Sequence, residues 1–156
     1  MRVNMIIVSK PSLSFSAAHF LQVPGKCSRL HGHNYRVKAG VVGELDESGM
    51  VVDFGWLCER IREVCSRIDH KLLLPAKSAE MRIEKRDGEV RVILEGREYL
   101  FPEEDVVLLP LKATSAELLA RYIYEELSKV VDGLSFVEVE ETEGSSARYP
   151  GGGLRL

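Results

Sequence analysis

A chain of 156 residues with 21 Lys and Arg against 24 Asp and Glu carries a formal net charge of −3, which argues against nucleic acid as its main partner. A hydrophobic share of 45% with 29% charged residues sets it apart from disordered and membrane proteins, and this length is enough for one compact domain spanning 1–156 with a real core. The apolar run Met5-Ile6-Ile7-Val8 is broken at once by Ser9-Lys10-Pro11, too short for a signal-peptide core or a membrane span, so the expected location is the cytoplasm.

From Leu13, the residues Leu13, Phe15, Ala17 and His19 share one parity while Ser12, Ser14 and Ser16 take the other, the period of a half-buried strand. A loop through Pro24-Gly25-Lys26 follows. From His31 the odd positions His31, His33, Tyr35, Val37, Ala39 and Val41 oppose Asn34, Arg36 and Lys38, a second strand with its histidines facing inward. Glu44 to Gly49 reads as a turn. Asp53 is then a candidate N-cap for a helix whose apolar stripe is Leu57, Ile61, Val64, Cys65 and Ile68, ending near Asp69-His70-Lys71.

Residues 77–110 are read as an insertion, in which Met81–Lys85 and Glu89–Leu94 flank the hairpin signal Asp87-Gly88. Thr114-Ser-Ala-Glu117 fits a capping box opening a second helix, with Leu119, Ile123, Leu127 and Val130 inward and Asp132-Gly133 as its stop. Phe136 to Thr142 alternates again, with Val137, Val139 and Glu141 on one face. The order predicts an α+β domain with both helices on one face of an antiparallel sheet. Open sheet edges favour assembly with further copies.

The histidines carry the chemistry. Side chains two apart on a strand point the same way about 7 Å apart, so His31 and His33 can converge on one ion. His19, if its strand pairs with theirs, supplies a third nitrogen. Three imidazoles without a fourth protein ligand are the pattern of a catalytic zinc site with an open position. The competing reading is that each is a hydrogen-bonded core histidine; three on one face favour the metal.

Cys27 has three readings, a fourth ligand closing a structural site, a small buried hydrophobe, or a thiolate base, and spacing does not choose among them. Cys58 and Cys65 lie about two helical turns apart, too far to bridge, and read as core. An odd count of three cysteines without a secretory signal also argues against a disulfide framework. Asp69-His70 is either a solvated Asp and a His at a helix C-terminus or an oriented imidazole that moves protons. Glu141 either turns outward as its strand frays or stays inward, where it needs donors such as the guanidine-like edge of a heterocycle.

The segments Phe15-Ser-Ala-Ala-His19, Cys27-x3-His31-Gly-His33-Asn34-Tyr35, Gly49-Met-Val-Val-Asp53-Phe54, Asp69-His70, Ser115-Ala-Glu117-x2-Ala120 and Val139-Glu-Glu141-Thr142 together resemble the 6-pyruvoyltetrahydropterin synthase and 6-carboxytetrahydropterin synthase superfamily. The resemblance implies a tunnelling fold (T-fold), in which a four-stranded antiparallel sheet backed by two helices closes with other subunits into a barrel, commonly a homohexamer with active sites between subunits. It implies His19, His31 and His33 as zinc ligands, Cys27 as catalytic base, Asp69 with His70 as proton relay, and Glu141 as the anchor of the pterin ring.

The implied substrate is 7,8-dihydroneopterin triphosphate. The carboxy-forming branch cleaves its side chain to leave 6-carboxy-5,6,7,8-tetrahydropterin, acetaldehyde and triphosphate for 7-deazaguanine (queuosine or archaeosine) synthesis. The pyruvoyl branch eliminates triphosphate and keeps the carbon skeleton. Asn and Gln number three in all, a depletion of heat-labile amides seen in thermophiles, and a cytoplasmic, thermophilic microbial chain fits the carboxy-forming branch. A non-catalytic zinc or pterin-binding module is the alternative of another class. The chain departs from the family in a short loop from His19 to Cys27, in the long 77–110 insertion, and in Glu-Gly-Ser-Ser-Ala-Arg after Thr142.

Overall fold

The alternation from Leu13 and from His31 does build strands. In a computed structural model, which describes residues 2–152, they are β2 (Ser14–His19) and β3 (His31–Gly43), after an N-terminal strand β1 (Asn4–Val8). β2 and β3 pair antiparallel with Ala17 opposite His33 and His19 opposite His31. Asp53 caps helix α1 (Phe54–Ser66), its side chain accepting from the Trp56 N–H. Leu57, Ile61, Val64, Cys65 and Ile68 are all buried, as is Cys58.

The remaining elements are β4 (Lys71–Pro75), β5 (Arg82–Arg86), β6 (Glu89–Leu94), β7 (Arg97–Pro102), β8 (Val106–Leu109), α2 (Ala116–Ser128), β9 (Leu134–Thr142) and β10 (Ser145–Tyr149). The four antiparallel strands that were expected are present as the run β10-β9-β3-β2, but the sheet is larger and mixed. It has seven strands, extended by β4 and β8, with β1 also on β3. β4 pairs parallel to β2 and β8 parallel to β4. Both additions are short apolar runs whose backbone finds partners only once β2 is in place.

The insertion also exceeds a hairpin. β5, β6 and β7 form a separate three-stranded antiparallel sheet. Asp87-Gly88 turns as expected, with φ of 52° and 79°, and Glu95-Gly96 repeats that geometry with φ of 52° and 74°, adding the third strand. In α2 the N-cap is Ser115, which accepts from the Leu118 N–H, one residue later than the expected Thr114. Leu119, Ile123 and Leu127 are buried, whereas Val130 is exposed and Val131 takes the inward place, because the helix has ended at Ser128.

Two cores result. The larger joins α1 and α2 to the Phe15, Ala17, Tyr35, Val37, Val137 and Val139 face of the sheet. The smaller seals the inserted sheet against Phe20, Leu72 and Leu74. No helix of the described residues is long and apolar enough to cross a membrane.

Candidate metal centre and active site

Strand pairing brings the three expected histidines together. One ring nitrogen from each of His19, His31 and His33 lies within 4.8 Å of the others, and the ring centroids are 4.6–5.2 Å apart. His19 is fully buried, while His31 and His33 are half-buried at the end of β3.

The outward nitrogens explain where the inward ones point. His19 Nδ1 lies 3.0 Å from the Thr114 main-chain oxygen and His31 Nδ1 lies 2.7 Å from that of Arg29. A carbonyl only accepts, so both Nδ1 atoms carry the proton and both Nε2 atoms present lone pairs. Those two Nε2 atoms face each other at 3.1 Å, a contact with no proton of its own. Protonating His19 does not relieve it, because burial, only partly offset by the Thr114 carbonyl, pulls its pKa down to about 4. His33 Nε2 is buried without a hydrogen-bond partner among the described residues. A cation answers all three nitrogens at once. A tetrahedral ion with Zn–N bonds of about 2.0–2.1 Å asks for donors about 3.3 Å apart, so the residues fit the group.

Around this cluster, Glu141 stays inward as its parity predicts, with its Oε1 3.5 Å from His33 Nε2. The Tyr35 hydroxyl lies 3.4 Å from His19 Nδ1, and burial first, then the charge of Glu141, raises its pKa. Glu141 also lines a cavity of about 290 Å³ with Ser115, Glu117, Ser145 and Ser146. Cys27 sits half-buried on a single 3-10 turn, Lys26–Ser28, and its main-chain oxygen accepts from the Leu21 N–H at 2.8 Å. The thiol is not part of the imidazole cluster, which weighs against a closed four-ligand site.

Asp69 and His70 form a pair of their own. Asp69 Oδ2 accepts from His70 Nδ1 at 2.9 Å, and its Oδ1 accepts from the Ser16 N–H at 2.8 Å. The Ser16 N–H, ahead of the His70 contacts, holds the Asp69 carboxyl below the usual range. The His70 N–H donates back to the Ser16 oxygen at 2.7 Å, and His70 adopts a left-handed φ of 57°, uncommon outside glycine and a frequent companion of function. Its side chain is 83% exposed and borders a cavity of about 620 Å³ that Ser16, Ala17, His33, Asn34 and Phe101 also line. His33 thus borders the cavity in front of the Asp69–His70 pair, while neither member of the pair joins the imidazole cluster itself.

Sequence reasoning missed Thr114 and Arg29, whose main-chain oxygens orient two imidazoles, because a carbonyl leaves no mark in residue type. It also missed Tyr35 as a neighbour of His19, although their shared parity on paired strands signals it.

Two helices on a mixed sheet, with three imidazoles gathered at the end of two paired strands, define a class of α+β proteins built around a three-histidine pocket. The chain belongs to the 6-pyruvoyl tetrahydropterin synthase family, whose pattern it matches over residues 8–152. A Synechocystis 6-carboxy-5,6,7,8-tetrahydropterin synthase is 32% identical over 146 residues, covering 87% of each chain. A Methanocaldococcus jannaschii protein, provisionally assigned the same activity, is 36% identical over 138 residues, or 85% of each chain. Among solved structures, Plasmodium falciparum 6-pyruvoyl tetrahydropterin synthase superposes with a TM-score of 0.87 at 34% identity, covering 95% of this chain and 97% of its own.

Proposed function

We propose that the chain is a zinc-dependent 6-carboxy-5,6,7,8-tetrahydropterin synthase, a lyase that converts 7,8-dihydroneopterin triphosphate to 6-carboxytetrahydropterin, acetaldehyde and triphosphate. The observation that carries the reading is the pair of facing Nε2 lone pairs on His19 and His31, 3.1 Å apart, with the unpartnered His33 Nε2 beside them. Curated relatives of that name, 28% to 32% identical over most of the chain, support the reaction.

His19, His31 and His33 hold the ion, and a zinc ion bound there supplies a Lewis acid toward the substrate's side-chain hydroxyls. Glu141 accepts two hydrogen bonds from the guanidine-like edge of the pterin, fixing the ring beside the cluster. Cys27 takes a proton from the side chain as thiolate. His70, held by the Asp69 carboxylate through Nδ1, leaves Nε2 free to pass a second proton. The His70 side chain is largely exposed and stands outside the imidazole cluster, so a second copy brings its Asp69–His70 pair to complete each site, as in a T-fold hexamer whose barrel is built from neighbouring sheets.

A second reading rests on the Plasmodium 6-pyruvoyl tetrahydropterin synthases, 32% to 34% identical over 95% of the chain. Incubation with 7,8-dihydroneopterin triphosphate separates the two. The carboxy-forming reaction releases acetaldehyde with 6-carboxytetrahydropterin; triphosphate loss without acetaldehyde assigns the pyruvoyl branch.

A further inference from the structure

His19 and Phe20 are consecutive and point to opposite sides of β2. The imidazole is buried beside the Tyr35 ring of the larger core, and the Phe20 ring, 1% exposed, enters the smaller one. There it lies 5.0 Å from the Tyr99 ring of the inserted sheet, and Tyr99 stacks in turn on Phe101 at 6.1 Å. The Phe20 main-chain oxygen accepts from the Thr114 hydroxyl at 3.4 Å, and the Thr114 oxygen accepts the His19 Nδ1–H at 3.0 Å. Two residues further on, the Gln22 side chain donates to the Ser78 hydroxyl at the base of the insertion.

We infer that the inserted β5-β6-β7 sheet positions the His19 imidazole, with Phe20 and Tyr99 as the positioning residues that hold it through their shared core. The sheet is separate from the main one and shares no strand pairing with it. Its side chains nonetheless fill the space under the residue next to His19. Without that packing, Phe20 would face water, and the backbone that aims His19 at its neighbours would lose its apolar anchor on that side. Close packing transmits such a loss, because interiors relax little around a missing ring. The Thr114 contacts then carry it to the imidazole, since the same residue receives His19 and holds Phe20. Outer partners that orient a ligand are worth about 10–100-fold in metal affinity.

This inference rests on the reading of His19 as a metal ligand, and the test separates the two. Zn²⁺ affinity is measured on the metal-stripped full chain by competition with a chromogenic chelator, and Co²⁺ absorption reports the geometry of the bound ion. Phe20→Ala and Tyr99→Ala should weaken Zn²⁺ binding about tenfold or more and alter the Co²⁺ spectrum, while Tyr99→Phe keeps wild-type values. Leu127→Ala, a cavity at the far end of α2, serves as the control for lost stability and should leave affinity unchanged. If Phe20→Ala does not fold, the Tyr99 pair decides. Wild-type affinity in folded Tyr99→Ala overturns the positioning role while leaving the metal site standing; a wild-type chain that binds no Zn²⁺ overturns both.

Discussion

His19 and His31 turn their Nε2 atoms toward each other at 3.1 Å while their Nδ1 atoms are committed to the carbonyls of Thr114 and Arg29. Two acceptors held face to face within a protein repel unless something positive lies between them. Folding therefore stores a preference for a cation at this point, and binding releases it. Replacing either ring by Ala should lower Zn²⁺ affinity by more than about 100-fold, beyond the effect of losing an outer partner. Metal content after dialysis, read by atomic emission, checks it.

In the metal-free protein, the same burial makes His19 a source of acid sensitivity. Its pKa is about 4 in the fold against 6.5 in the unfolded chain. Above pH 6.5 both states are neutral and His19 contributes nothing to the pH dependence. Between about pH 6.5 and 4 the unfolded chain binds the proton that the fold refuses, so stability falls as pH falls, by about 3 kcal/mol across the window. Urea titrations of the stripped protein at pH 7 and pH 4.5 should show the loss, and His19→Gln should reduce it.

Cys27 sits outside the imidazole cluster, on a short turn tied to Leu21. Cys27→Ala should retain zinc and lose turnover by about 10²–10⁴-fold, the range for removing a general base. Parallel measurements of zinc content and kcat decide it; loss of metal together with unfolding would instead make the thiol a structural ligand.

Much of this was legible in the residues. Alternation placed His19, His31, His33 and Glu141 on one face, and pairing of β2 with β3 did the rest. Both helices were visible from their stripes and from Asp53. What stayed hidden were strands whose partners are distant. Leu72, Leu73 and Leu74 form a run buried throughout, with no alternation to mark a strand, and β4 begins directly after the left-handed His70. Val106–Leu109 is likewise a short apolar run and needs β4 as its template. β1 reads only as a short apolar run until the long β3 offers it an edge. The capping-box pattern was displaced by one residue because Thr114 is buried between His19 and Phe20, which leaves Ser115 to cap α2.

Glu141 meets His33 at 3.5 Å and lines the neighbouring cavity. Glu141→Ala should raise the Kd for a pterin by about 10-fold or more, since each hydrogen bond to a charged group is worth about 1.5–3 kcal/mol. Titration of neopterin fluorescence on the zinc-loaded protein checks it, with zinc content expected to hold.

In the proposed assembly, the His70 and Glu141 of one site belong to different copies. His70→Ala and Glu141→Ala, assayed at a substrate concentration where each alone is impaired, should regain part of the wild-type turnover when unfolded together and refolded as a mixture. Mixtures no more active than either parent would assign both residues to a site within one chain.

The proposed site places three imidazoles on one divalent ion with a position left open. X-ray absorption at the zinc edge of the reconstituted protein tests it most directly. Expected are one zinc per chain, three imidazole nitrogens at about 2.0–2.1 Å, an oxygen as the further ligand and no sulfur. A sulfur neighbour at about 2.3 Å, or a protein that takes up no zinc, would contradict it.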